Sequence, residues 1–568
     1  MKWQILNKIN QNPKVEEILR ALLENRGLKT SEEIWEFLHP VSPEKLTARD
    51  LGINEKELQK AIIRLRKAVD EGEEIIVWGD YDADGICATA IVWESLYKLT
   101  KKVLPYIPDR VSEGYGLNKE AILKLKAEKP KLGLIITVDN GITASEKIKF
   151  AAQQGIEVIV CDHHQLQEKA PECAAVVHTD KVCAAAIAWL VARELLANYG
   201  LSAKADYLDL VAIASISDLE PLLGVNRSLV KSGLEVLNQT RRCGLQAIME
   251  EAGLTLGQIG TYEVGYLIAP RLNAMGRMEH ALESLRLVCT TKTEKAKELA
   301  KKLGSTNRER QNLTEETTRH AIENSKLTVQ SSKLVFVAHE SYNEGIIGLV
   351  AGKLVEEFYR PAIVVSLGET YSKASARSIN GFNIIEAIRA HSDLLIDAGG
   401  HPMAAGFTIE TTKIELLKQR LLAEAEKQLS EEALQKALKI DLELPLSVIS
   451  MALWEALAKM APFGLGNAEP VFKARVKVDD FKIVGSTGKH LKLTLSRLQT
   501  TDNQLPVAFS AIAFNQGALA NKLRLGQEVE VAYSLSLNEW KGAQSLELKI
   551  RDLKIPIHDL ESQENLIF

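Results

Sequence analysis

Residues 156–172 read IEVIVCDHHQLQEKAPE. Apart from Glu157 the run to Cys161 is apolar, and then an aspartate and two histidines follow at once. A short β-branched run bounded by polar residues marks a strand buried on both faces. Such a strand, ending in Asp162, His163 and His164, delivers three polar groups to one edge of a sheet. Consecutive side chains leave a strand in opposite directions. His163 is therefore the expected metal ligand, with His164 acting behind it or on a substrate. A His-His pair alone is an ordinary polar loop, so the weight falls on its surroundings.

The pattern recurs on either side. EEIIVWGDYDADG (73–85) ends in Asp80, Asp82 and Asp84, and KLGLIITVDNG (131–141) ends in Asp139. KVLPYIPD (102–109) is a further short strand. Helical stretches separate these runs, which predicts a parallel sheet covered on both faces. All the acids then fall at its carboxyl edge, where open α/β sheets place ligands. Asp218, after the apolar run in DLVAIASISDLEPL (209–222), is read with the three strand ends as the fourth acid-bearing segment.

Converging carboxylates repel strongly at low dielectric unless neutralised. A pair of divalent cations resolves this, and mixed carboxylate and imidazole donors suit Mn²⁺ better than Ca²⁺. Two ions about 3.5–4 Å apart polarise a phosphoryl group and activate water, with Asp139 placed to bridge them. DYDADG also mimics the start of an EF-hand loop. Its twelfth position is Ile91, inside the predicted helix ICATAIVWESLYKL, where that loop needs glutamate. Asp84-Gly85 is read as a helix cap compatible with metal binding.

Length and composition set the frame. The 568 residues allow several domains, and 46% hydrophobic with 26% charged residues is ordinary for soluble proteins. No apolar run approaches a membrane span, and the first residues lack a signal-peptide apolar core. The cysteines (Cys87, Cys161, Cys173, Cys183, Cys243, Cys289) form no CxxC, which argues against a zinc ribbon or disulfide scaffold and fits a reducing cytoplasm. The net charge of −5 hides an asymmetry: Lys and Arg outnumber Asp and Glu by 13 to 9 between Glu469 and Lys554. A mildly basic tail on an acidic body permits nucleic-acid binding.

Residues 1–70 read as helices, and 279–330 as polar helices joining two domains. A second α/β unit follows, with strands KLVFVAH and PAIVVSL around the helix GIIGLVAGKLVEEF. Gly345, Gly348 and Gly352 there are read as close-packing positions, since no phosphate-loop motif is present. FKARVKVDDF, HLKLTLSRL, EVEVAYSLSL and SLELKIRDL alternate with period two, which predicts a small antiparallel barrel.

Together these motifs resemble a known family. DYDADG, VDNG, DHH and the Asp218 segment match, in order, the four motifs of the DHH phosphoesterase superfamily. The rest resembles its RecJ family of bacterial single-stranded-DNA-specific exonucleases. PDRVSEGYGLN (108–118), APRLNAMGRM (269–278), KASARSINGFNIIEAI (373–388), DAGGHPMAAGF (397–407) and LLENRGLKTSEEIWEFLHP (22–40) carry that part. After the DHH motif the chain departs from the family pattern: VVHTDKVCAAAIAWLVAREL runs on in alanines and is shortened.

The resemblance implies an α/β fold of two α/β domains, DHH (71–278) and DHHA1 (331–435). Helices 279–330 join them, after an N-terminal helical segment 1–70 and before a C-terminal OB-fold β-barrel (440–556) and a tail (557–568). It implies that Asp80, Asp82, Asp84, Asp139, His163 and Asp218 hold two Mn²⁺ or Mg²⁺ ions, with Asp162 and His164 completing the catalytic set. Arg110, Arg271, Asn273, Arg277, Arg377, Ser378, Gly400 and His401 would bind substrate. The implied activity is 5′-to-3′ hydrolysis of single-stranded DNA to 5′-mononucleotides in repair and recombination, by a cytoplasmic monomer. A single-stranded-DNA-binding protein and a helicase are the implied partners. In the barrel, Lys473, Arg475, Lys477, Lys489 and Lys492 are candidate backbone contacts, and Phe472, Phe514 and Trp540 candidate stacking residues. The rivals are a DHH-DHHA1 nano-RNase or nucleotide phosphatase, a family II pyrophosphatase, and a non-catalytic DNA-binding replication scaffold.

Overall fold

The computed structural model describes residues 1–10, 13–110, 112–166, 169–202, 206–326, 329, 331–485, 487–498, 508–540 and 542–556. The apolar runs become a five-stranded parallel sheet of β1 (Glu74–Trp78), β2 (Val103–Tyr106), β3 (Leu132–Val138), β4 (Glu157–Asp162) and β5 (Ala175–His178), in the order β2-β1-β3-β4-β5. Alternate residues enter different cores. Ile75, Val77, Ile136 and Ile159 join one apolar cluster, whereas Ile76, Trp78, Ile135 and Val160 join another. That division is what a parallel sheet covered on both faces requires. Three helices matter to its carboxyl edge: α1 (Ala83–Leu99), α2 (Ala184–Asn198) and α3 (Leu208–Ser217).

The chain divides into two compact units. The larger, residues 41–220 and 225–435, holds the parallel sheet. It continues through α4 (Ala269–Met278) and the 33-residue α5 (Thr293–Ser325) into a second sheet, with α6 (Ile347–Phe358) packed on it. That sheet is β6 (Val335–His339), β7 (Ala362–Ser366), β8 (Tyr371–Arg377), β9 (Leu395–His401) and β10 (Ala404–Glu410), in the order β9-β10-β8-β7-β6.

The smaller unit combines residues 1–40, 221–224 and 436–568. Besides a parallel pair of short strands, Lys2–Ile5 with Ala437–Ile440, the first of them where the sequence predicts helix, its main sheet is β11 (Leu442–Glu443), β12 (Phe472–Val484), β13 (His490–Arg497), β14 (Ala508–Ala513), β15 (Glu528–Trp540) and β16 (Ala543–Lys554). β15 pairs with both β16 and β12, which closes the sheet into a barrel. The period-two reading is thus realised. The single N-terminal segment 1–70 is not: the units divide it after Pro40. Ile18, Leu22 and Leu23 of helix Val15–Glu24 share a cluster with Leu442, Phe472 and Tyr533. Leu58, Ile62 and Leu65 of helix Glu55–Glu71 instead join the core of the parallel sheet. Among the described residues no helix is long and apolar enough to cross a membrane.

Candidate functional site

Strand register aligns the acids. Trp78 pairs with Thr137, and Thr137 with Val160. Two residues further along each strand stand Asp80, Asp139 and Asp162, one row off the carboxyl edge. After Asp80 the chain turns into α1. The cap is Asp82, not the expected Asp84: its Oδ1 accepts the Gly85 N–H at 3.0 Å. Asp84 sits in the first turn, and its two oxygens accept the Ala184 and Ala185 N–H groups, each at 2.8 Å. The alanine-rich segment after the DHH motif thereby places the positive end of α2 on an acid of the site. Gly85 permits the close approach, since a Cβ there would lie 2.6 Å from that of Asp80. Asp139 adopts φ +63°, a left-handed turn that aspartate tolerates better than most residues.

The side chains converge in three overlapping groups; the middle one, Asp139, His163 and His164, joins the other two. Donor atoms of Asp80, Asp82 and Asp139 lie within 4.8 Å of one another, as do those of Asp84, His163 and Asp218. His163 Nε2 is 3.2 Å from Asp139 Oδ1 and 3.8 Å from Asp84 Oδ2, while its Nδ1 is 3.7 Å from Asp218 Oδ2. Asp218 caps the C-terminus of α3 rather than ending a strand. The apolar run before it is a buried helix, so periodicity could not separate the two cases. His164 differs from its neighbour: its Nδ1 lies 2.7 Å from Asp162 Oδ1. Asp162 also accepts the backbone N–H groups of Ile142, His163 and His164. It organises the loop and is absent from all three donor groups.

Burial and mutual repulsion leave the acids short of positive charge. Burial, then Asp82, pushes the Asp84 carboxyl up to about 7. Burial, then Asp84, pushes Asp218 up to about 9. Asp80 and Asp139 are driven well above the usual carboxylate range by burial and by their acidic neighbours. Burial, then the charge of His164, lowers His163 to about 4, so its imidazole is neutral, the form that ligates metals. His164 is raised despite burial because Asp162 stabilises its cation. No lysine or arginine ion pair reaches Asp80, Asp82, Asp84, Asp139 or Asp218 among the described residues, and Asp80 Oδ1 is buried without a hydrogen-bond donor. A buried carboxylate oxygen with no proton donor, amid further acids and a neutral imidazole, fits divalent cations.

Three family models match consecutive parts of the chain: "DHH family, N-terminal domain" over residues 74–215, "DHHA1 domain" over 329–431 and "RecJ OB domain" over 440–552. The single-stranded-DNA-specific exonuclease RecJ of Bacillus subtilis is 33% identical, over 98% of this chain and 71% of that protein. The chain belongs to the RecJ family. A solved RecJ from Thermus thermophilus, in complex with Mn²⁺, superposes with a TM-score of 0.79 at 30% identity, covering 98% of this chain and 80% of that one. Another, an exonuclease RecJ bound to manganese, gives 0.58 at 33% identity, covering 68% of this chain and 97% of that one.

In this RecJ-family chain, residues of the second sheet line cavities with residues of the first. A cavity of about 560 Å³ is lined by Arg110, Arg277, Ser375 and Arg377, by Lys373, which pairs with Glu344 at 2.8 Å, and by Asp397. Burial, then the repulsion of Arg110 and Arg310, lowers Arg277 to about 10; burial also lowers Arg377. Arg277 reaches the Gly345 carbonyl at 3.3 Å, and Arg377 reaches Ser375 Oγ and the Ala376 carbonyl. No carboxylate pairs with either among the hydrogen bonds and ion pairs of the described residues. Arg110 stacks over Tyr81 at 5.0 Å. A second cavity brings Gly400 and His401 together with His164, Tyr115, Lys169 and Arg389. Asn273 Oδ1 accepts the Ala83 N–H at 2.7 Å, so it holds the acidic loop rather than a ligand.

Two expected substrate residues are engaged elsewhere. Arg271 forms a 2.6 Å ion pair with Glu251 and donates to the Leu267 carbonyl. The Ser378 hydroxyl is buried and donates to the Phe382 carbonyl at 2.6 Å; Ser375 faces the cavity instead. Of the glycines expected along one helix, Gly345 lies in the turn before α6; it and Gly348 meet close neighbours, but Gly352 faces open space. In the barrel, Phe472 is buried against Tyr533, whereas Phe514 is 54% exposed beside His490. Lys473, Arg475 and Lys492 pair with Glu530, Glu528 and Glu547. Sequence reasoning missed Tyr115, whose hydroxyl donates to the Asp139 carbonyl at 2.8 Å, and Glu220, 3.8 Å from His163. Tyr115 lay inside a quoted motif, and Glu220 stood two residues past a named acid.

Proposed function

We propose that this chain is a single-stranded-DNA exonuclease that uses two Mn²⁺ or Mg²⁺ ions and releases 5′-mononucleotides from the 5′ end. The observation that carries the reading is the juxtaposition in one unit of three overlapping donor groups, sharing Asp139 and His163, with a cavity where Arg277 and Arg377 have no carboxylate partner among the described residues. Asp80, Asp82 and Asp139 would hold one ion, and Asp84, His163 and Asp218 the other. The ions supply Lewis-acid polarisation of the phosphoryl group and make water a better nucleophile at neutral pH.

The chain's own groups do the rest. Arg110, Arg277 and Arg377 offer planar forks that match phosphate oxygens and orient the scissile group. His164, whose cation is favoured by Asp162 against the effect of burial, would donate to a phosphoryl or leaving oxygen. Tyr115 and Asn273 fix the backbone of the two acidic turns. The closed barrel is the RecJ OB domain, a fold that holds single strands through stacking and basic grooves. Polarity, a monomeric cytoplasmic state and partnership with a helicase and a single-stranded-DNA-binding protein rest on family membership.

The test is a time course on 5′-labelled and 3′-labelled single strands, with Mn²⁺ and with EDTA. Immediate release of labelled mononucleotide from the 5′-labelled strand, progressive shortening of the other and arrest by EDTA are expected. Cleavage confined to dinucleotides would mean a small-substrate phosphatase, and binding without cleavage in any metal would mean a scaffold.

A further inference from the structure

His163 is approached by two carboxylates on the same ring nitrogen. Its Nδ1 is 3.7 Å from Asp218 and 3.8 Å from Glu220 Oε1, whereas Nε2 faces Asp139 and Asp84. A metal-ligating imidazole gives one nitrogen to the ion and donates its other N–H to a partner that fixes tautomer and ring angle. Asp218 belongs to a donor group and Glu220 to none. We infer that Glu220 is a positioning residue: it accepts the Nδ1–H of His163 and so commits Nε2 to the ion. The inference rests on the metal chemistry proposed above.

The local fold supports this role independently. The N–H of Leu219 donates to the Ile216 carbonyl and that of Glu220 to Ser215, the pairing of a Schellman motif at the end of α3. Glycine usually takes the left-handed position there; here it is Leu219, at φ +61° and 69% exposed. Left-handed leucine is uncommon and strained, and an outlier of this kind motivates a functional explanation. The turn leaves Asp218 and Glu220, one residue apart, facing the same imidazole. Glu220 is held from behind. Its Oε2 accepts Asn226 Nδ2–H at 3.2 Å, and the same amide donates to the Lys181 carbonyl at 2.8 Å. The side chain of Glu220 is nine-tenths buried. At 3.8 Å the contact is longer than a hydrogen bond, and the role requires that it tighten when the site fills, as catalytic contacts do.

The test is Mn²⁺ titration calorimetry on the full-length protein and on Glu220→Gln, with metal-free Tm and dinucleotide turnover in parallel. Glutamine keeps the volume and the bond to Asn226. The expected result is about a 10- to 100-fold loss of Mn²⁺ affinity, an unchanged number of bound ions, no fall in metal-free Tm, and turnover restored at high Mn²⁺. Affinity within twofold of the parent overturns the inference, as does loss of one bound ion, which would make Glu220 a ligand. If Glu220→Gln lowers the metal-free Tm, Asn226→Ser decides: it leaves the carboxylate but releases it, so weaker Mn²⁺ binding supports the role and parental binding refutes it. A parent chain that binds no Mn²⁺ would instead defeat the proposed function.

Discussion

Replacing Asp139 by asparagine should make the metal-free protein more stable while abolishing its activity. Asp139 is 2% exposed and has carboxylate oxygens of Asp80 and Asp82 within 4.8 Å. Two unit charges at that separation repel by about 3.5 kcal/mol at an effective dielectric of about 20. Shared protons relieve part of this, so neutralising one member returns about 1–3 kcal/mol. Asparagine tolerates the left-handed φ of +63°, and its amide N–H has the unprotonated Nε2 of His163 within reach, 3.2 Å from the present Asp139 Oδ1, so no strain offsets the gain. Differential scanning fluorimetry in EDTA near pH 8 should show a rise of a few degrees. Mn²⁺, which stabilises the parent by mass action, should raise the Tm of the variant little. Turnover should fall by about 10³-fold or more, as expected if several kcal/mol of metal-dependent stabilisation is lost. A metal-free Tm below the parent's, or a parental response to Mn²⁺, would refute the view that these acids are held together against repulsion for a cation.

Other outcomes follow from the same geometry. The raised carboxyls of Asp84 (about 7) and Asp218 (about 9) contribute stability at low pH that is lost as pH rises through those values, so the Tm gap between Mn²⁺ and EDTA should widen from about pH 6 to about pH 9; a constant gap would contradict the assignment. Arg277→Gln should weaken binding of any single strand and lower the slope of log affinity against log salt by about 1, measured by anisotropy; an unchanged slope would exclude a phosphate contact. Phe514→Ala should weaken a long single strand by about 5- to 100-fold and leave dinucleotide hydrolysis alone, whereas Phe472→Ala should lower Tm, because only the first ring is free to stack.

Much of the site was legible because strand register is periodic. Once EIIVW, LGLIITV and EVIVCD are read as parallel strands, Asp80, Asp139 and Asp162 must share an edge. The sequence could not show which acid caps α1, since Asp82 and Asp84 both suit a helix start. Nor could it show that Arg271 is taken by Glu251, twenty residues away, while Arg277 on the same helix faces the cavity. Such choices depend on helix phase and on partners that no local pattern records. The division of the N-terminal segment was equally hidden. Helices Val15–Glu24 and Glu55–Glu71 are both amphipathic, and amphipathicity says that a face is buried, not against what.

That division has a consequence for how the chain is made. Helix Val15–Glu24 leaves the ribosome early, yet its core partners Leu442, Phe472 and Tyr533 lie more than 400 residues later. At roughly 5–20 residues per second, the helix waits about 20–90 s with Ile18, Leu22 and Leu23 unmatched, while the larger unit can fold in between. The smaller unit therefore assembles after the larger one, from segments that flank it in sequence. A nascent chain stalled before residue 440 carries a sticky helix with nothing to cover it, which makes it a natural client for chaperones that hold exposed apolar segments.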